Sequence, residues 1–139
     1  MKVGFATTDA INIDEHFGRC GTFAIYDVTD KGYEFIEVRR FADGRDSAVE
    51  ESKNNRDVHE DLVQKKVDGM DDCKLIYLMA IGGPTAARLA KKGIMPVKIN
   101  KVISIKESLL QLVDTLKTSP PPWLKKALRS DEPSADDYR

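Results

Sequence analysis

The sequence has little of what most metal-binding proteins are built on: two cysteines, Cys20 and Cys73, and two histidines, His16 and His59, in 139 residues. That excludes a disulfide framework and a closed four-cysteine zinc site. Charge of one sign is also lacking. With 22 Lys+Arg against 23 Asp+Glu the net charge is −1, so there is no global basic field to neutralise phosphates, and no nucleic-acid partner is expected. No apolar run approaches the roughly 18 residues of a membrane span. The opening Met1-Lys2-Val3-Gly4-Phe5-Ala6 turns polar at Thr7-Thr8-Asp9, too early for a signal peptide. The expected address is the cytoplasm, with no membrane partner. What remains is one soluble domain, 41% hydrophobic, of a size that buries roughly two-thirds of the surface its unfolded chain exposes.

Lys2 to Ala6 reads as a short buried strand, and Thr7 to about Gly21 as a polar loop. Thr22 to Val28 and Tyr33 to Val38 are rich in β-formers and flank the turn signal Asp30-Lys31-Gly32, which predicts a hairpin. Ala42 to Asn55 is polar and predicts an exposed loop or frayed helix start. Val58, Leu62, Val63 and Val67 supply a helical stripe that ends at Gly69. Leu75 to Ala80 is a continuous apolar run, as in a strand covered on both faces and set in the middle of a sheet. Gly82-Gly83-Pro84 opens a helix that stops near Gly93, and Pro96 confines the strand Met95 to Ile99 to an edge or a strand start. Ser104 and Glu107 form a capping box before Leu109, Leu112, Val113 and Leu116.

The element order βββαβαβα predicts an α/β fold with a mixed five-stranded sheet flanked by helices: an antiparallel meander first, parallel crossovers after it. Folding is expected to end near Lys117. The remainder, 118–139, holds four of the six prolines, Trp123 and an acidic terminus, and reads as largely disordered. Trp123, Leu124 and Leu128 would allow one or two amphipathic turns docked on the domain or on a partner. If the first strand and the Leu75 strand are parallel neighbours, the loops at their carboxyl ends, Thr7–Gly21 and Ile81-Gly82-Gly83, lie together at the edge where open α/β sheets place ligands.

Those loops carry the chemistry. His16 and Cys20 are soft ligands for iron, zinc or copper, too few for an isolated tetrahedral site but enough to anchor a preassembled cluster that brings its own sulfides. The competing reading has His16 capping a loop hydrogen bond and Phe17 plugging the core. Gly82 and Gly83 at a helix start offer N–H groups to an anion, or else serve a turn that needs glycine conformations; the sequence matches neither GxxxxGK[ST] nor GxGxxG. Arg19 beside the loop would pair with an anion or stay solvated. Cys73 reads as a small buried residue or a second thiolate, and His59 as a helix-edge histidine. Asp9, Asp14 and Glu15 crowd one loop, while the two strands that would present nuclease carboxylates contain none, so metal-dependent hydrolysis is not expected. No catalytic residue is assigned.

The stretches Asp14-Glu15-His16-Phe17-Gly18-Arg19-Cys20, Phe23-Ala24-Ile25-Tyr26-Asp27-Val28, Ala80-Ile81-Gly82-Gly83-Pro84-Thr85-Ala86-Ala87-Arg88, Gly93-Ile94-Met95-Pro96-Val97-Lys98 and Pro120-Pro121-Pro122-Trp123-Leu124 resemble the nitrogenase iron–molybdenum cofactor biosynthesis family, which includes NifX, NafY and the carboxy-terminal part of NifB. The resemblance covers nearly the whole chain, and the last stretch is most like the NifX branch. It implies a ribonuclease-H-like fold without nuclease activity and a cofactor-binding domain over 1–117. It implies a non-catalytic carrier that takes an iron–sulfur precursor of the cofactor from a precursor-synthesising enzyme to a scaffold during nitrogen fixation, as a monomer or weak homodimer. On matching positions it makes His16 the leading cluster ligand and Cys20 the second. Phe17, Gly18 and Arg19 would shape the site, with the N–H groups of Gly82 and Gly83 facing an anionic cluster. The alternative is a small adaptor or regulatory protein of nitrogen fixation acting through its tail.

Overall fold

The computed structural model describes residues 1–41 and 55–129 of the chain, the side chains of 55–61 excepted. Its frame is a five-stranded mixed sheet built from β1 (Lys2–Ala6), β3 (Thr22–Thr29), β4 (Gly32–Arg40), β5 (Cys73–Leu78) and β6 (Met95–Lys98), in the order β4-β3-β1-β5-β6. The β3–β4 hairpin closes on Asp30-Lys31, with Thr29 paired to Gly32 at φ 152°, a conformation that favours glycine. β1 runs antiparallel to β3 and parallel to β5, and β5 runs parallel to β6. The continuous apolar strand is thus interior, as expected, although β1 takes the central place. Pro96 sits in the edge strand, where its missing N–H leaves no ladder bond unmade.

The predicted all-loop stretch Thr7–Gly21 contains one addition. β2 (Asn12–Ile13) pairs antiparallel with β7 (Ile103–Ser104), and this two-strand ribbon buries Ile13. Ile11-Asn12-Ile13 alternates over three residues only, shorter than the run from which a strand is read, which is why pattern reading passes over it.

Among the described residues four helices cover the sheet: α1 (Asn55–Gly69), α2 (Gly83–Lys91), α3 (Ile105–Thr118) and α4 (Pro122–Arg129). α3 starts as its capping box predicts, the Ser104 hydroxyl accepting from the Glu107 N–H at 3.0 Å. Within the stretch expected to be largely disordered, α4 is ordered against the domain. Leu124 is buried, and Ala127 and Leu128 pack beside it, so folding continues past Lys117. The loop expected over 42–55 and the acidic terminus 130–139 lie outside the described residues, apart from Asn55 at the head of α1.

The sheet separates two cores. On one face Val3, Phe5, Val28 and Leu75 meet Leu109, Leu112, Leu116 and Leu124 of α3 and α4. On the other, Phe23, Ile25 and Ile76 meet Val63 and Val67 of α1 and Leu89 of α2, with Phe17 and Cys20 from the loop after β1. No described helix is long and apolar enough to cross a membrane.

Candidate functional site

Parallel pairing of β1 with β5 brings the two candidate loops to one edge. The first loop is fixed by its own acids. The Asp9 carboxylate accepts from the N–H groups of Asn12 (2.8 Å) and Ile11 (2.9 Å), which hold its pKa at about 2 instead of 3.8. Asp14 accepts from the N–H (2.9 Å) and hydroxyl (2.6 Å) of Thr8. Both carboxylates are used to shape the backbone of this loop.

Two backbone bonds then sew this loop to the segment after β5. The Glu15 carbonyl accepts from Met79 N–H, and Phe17 N–H donates to the Ala80 carbonyl, both at 2.9 Å. His16 lies between them with its side chain exposed. A tight turn follows, with the His16 carbonyl accepting from the N–H groups of Cys20 (2.9 Å) and Arg19 (3.2 Å). Phe17 points the other way. Its ring is fully buried, 5.6 Å from that of Phe23.

The predicted residues therefore divide. His16, Gly18, Arg19, Gly82 and Gly83 are exposed, the last two at the start of α2. The His16 imidazole makes no hydrogen bond to a described residue, so the loop-capping reading of His16 does not hold, whereas Phe17 does plug the core. A Cβ added at Gly18, Gly82 or Gly83 would meet nothing within 4 Å. Gly82 has φ −73° and ψ 154°, a conformation open to every residue, so the turn itself does not demand glycine there. Gly83 precedes Pro84, whose ring would crowd a side chain in helical backbone.

Cys20 is fully buried, and its thiol donates to the Thr22 carbonyl at 2.7 Å. Burial pushes that thiol up to about 11, which keeps it protonated at neutral pH. As folded it is a support beneath the loop, not a thiolate facing a ligand. Cys73 is buried at the opposite end of β5, its thiol pushed up to about 12 by burial. His59 lies on α1 with its side chain outside the described residues. Among the described residues no three His, Cys, Asp or Glu side chains converge on a common point.

One participant was missed by pattern reading. Lys66 of α1 is 1% exposed, and its ammonium donates to the carbonyls of Phe17 (3.0 Å) and Gly18 (3.2 Å) while lying 5.5 Å from the centre of the Phe17 ring. The signal was in the sequence. Lys66 occupies the i+3 place of the stripe Val63, Val67, Met70, where a lysine on the surface would not sit.

Comparison with known proteins points in one direction. Residues 1–115 match the family model described as dinitrogenase iron-molybdenum cofactor. The chain is 37% identical to Protein NifX of Sinorhizobium fredii, over 92% of this chain and 78% of that protein. It is 30% identical to the FeMo cofactor biosynthesis protein NifB of Herbaspirillum seropedicae, over 70% of this chain and 17% of that larger protein. Among solved structures it is similar to PH0822, with a TM-score of 0.60 at 18% identity, covering 82% of this chain and 91% of that one, a likeness of fold.

Proposed function

Because the chain belongs to the dinitrogenase iron-molybdenum cofactor family, matched over residues 1–115, we propose that it is a non-catalytic carrier in cofactor biosynthesis. Its cargo is an iron–sulfur precursor of the iron–molybdenum cofactor. One observation carries this reading: an exposed imidazole stands on a loop sewn by two backbone bonds to the segment before α2, beside glycines over which there is open space. His16 is the iron ligand. The N–H groups of Gly82 and Gly83, at the positive end of a helix, and the Arg19 guanidinium face the charge on the sulfides. Phe17 anchors the loop from below, Gly18 leaves room above it, and Cys20 braces it.

A single imidazole backed by diffuse electrostatic contacts suits a carrier. It leaves most coordination positions of a preassembled cluster to the next protein, so release needs no closed site to be dismantled. We read the sheet as ribonuclease-H-like, a meander followed by parallel crossovers, with no Asp or Glu on β1 or β5. The partners are the assembly proteins that make the precursor and receive it, met in the cytoplasm by a monomer or weak dimer.

The test is anaerobic reconstitution with the iron–sulfur precursor, reading iron per chain. His16→Ala is expected to retain about tenfold less iron or worse, the range for disturbing a metal site; equal retention removes His16 from the site. The adaptor reading draws on Trp123, 44% exposed on α4, beside exposed Lys125 and Lys126. The same variant separates the two. An adaptor would keep its partner whatever becomes of the cluster, while a carrier would deliver nothing.

A further inference from the structure

Among the described residues Lys66 is the only charged side chain that is buried. Burying an ammonium is costly unless it is hydrogen-bonded, and a Leu or Met would fill the same slot on the α1 stripe without that penalty. The ammonium donates to two successive carbonyls of the His16 turn, those of Phe17 and Gly18.

The consequence follows from peptide geometry. In a trans peptide the C=O and the next N–H point in opposite directions, and no described peptide is cis. Drawing the Phe17 carbonyl inward to Lys66 therefore turns the Gly18 N–H outward. That N–H bonds to no described residue, and the space at the Gly18 Cβ direction is open. The Arg19 N–H, by contrast, is used to close the turn on the His16 carbonyl at 3.2 Å.

We propose that Lys66 is the positioning residue that makes the His16 turn receptive to an anion: it holds two carbonyls inward and so presents the Gly18 N–H outward. The inference rests on the reading of His16 as the anchor of an anionic cluster, and it assigns the preference for negative charge to a buried residue beneath the exposed turn.

Lys66→Met keeps the stem and removes charge and donors. The probe is an iron–sulfur cluster assembled anaerobically from ferrous iron and sulfide. The expected result is a far-ultraviolet spectrum like that of the parent chain, displaced Gly18 and Arg19 amide resonances, and about tenfold weaker iron retention, the scale of effects for groups that orient a metal ligand. A folded Lys66→Met chain that retains iron as the parent does overturns the proposal. If His16→Ala loses iron in the same series, the carrier reading stands without it; if neither variant loses iron, both fall. Should Lys66→Met fail to fold, the parent chain decides. Cluster addition must shift or broaden the Gly18 amide and Lys66 ammonium signals, and unchanged signals overturn the proposal.

Discussion

The two faces of the sheet are packed to different rules. Under α3 and α4 the interior is aliphatic and aromatic, and the exception is Ser108, whose buried hydroxyl has no hydrogen-bond partner among the described residues. Under α1 and α2 the interior holds Phe17, Cys20, Cys73 and Lys66, and two of these send donors to the backbone of the loop after β1 or to its flank. The first face maximises apolar burial. The second gives up some of it to hold a loop in a chosen shape. Stability and site geometry are thereby assigned to opposite sides of one sheet, and variants on the two sides should fail in different ways.

The largest effect is expected on the first face. Leu112 is buried on α3, so Leu112→Ala should lower the unfolding free energy by about 2–5 kcal/mol, the usual range for emptying a core leucine site. Urea unfolding measures it. The folded fraction should still retain cluster as the parent does; a parallel loss of iron would mean that the two faces are not separable.

A smaller effect comes from the thiols of the second face. Burial raises Cys20 to about 11 and Cys73 to about 12 from the ordinary 9.0. The unfolded chain therefore gives up these protons first. The associated stability is fully present below about pH 9 and is lost as pH rises through 11 for Cys20 and 12 for Cys73. Thermal unfolding followed from pH 8 upward should fall less steeply for Cys20→Ala than for the parent. An unchanged slope would contradict the buried, protonated thiol.

Most of the frame was legible because it follows from short-range signals. The alternation around Asp30-Lys31-Gly32, the apolar run at Leu75, Pro96 and the Ser104 capping box each fix one element, and the parallel placement of β1 beside β5 brought the His16 and Gly82 loops together as the sequence reading anticipated. What escaped depends on partners distant in the chain. Ile13 becomes a strand because Ile103 pairs with it, and the choice left open for Leu124, between the domain and a partner, falls to the domain because a core cluster receives it. Lys66 stands out in an apolar stripe, but what it does is visible only when the carbonyls of Phe17 and Gly18, nearly fifty positions earlier, are seen against its ammonium. Cys20 posed the harder problem. A thiol beside a histidine has the composition of a ligand pair, and only its bond to the Thr22 carbonyl turns it into a brace.

The smallest expected change in stability is the most informative about the site. Gly82 stands at the N-cap of α2 with no side chain to accept from the first turn, in a conformation any residue adopts, with open space where a Cβ would point. A serine there would meet no clash and would cap the helix, so Gly82→Ser should raise the unfolding free energy by a few tenths of a kcal/mol at most, roughly the difference between Ser and Gly at that position. The same hydroxyl would satisfy an N–H group that the proposed cluster uses and would stand in the space it occupies. Iron retention should therefore fall while stability holds or rises, a divergence measured by denaturant unfolding and iron analysis on the same preparation. If both are unchanged, the glycine serves neither packing nor cargo, and the site reduces to the His16 turn and the lysine beneath it.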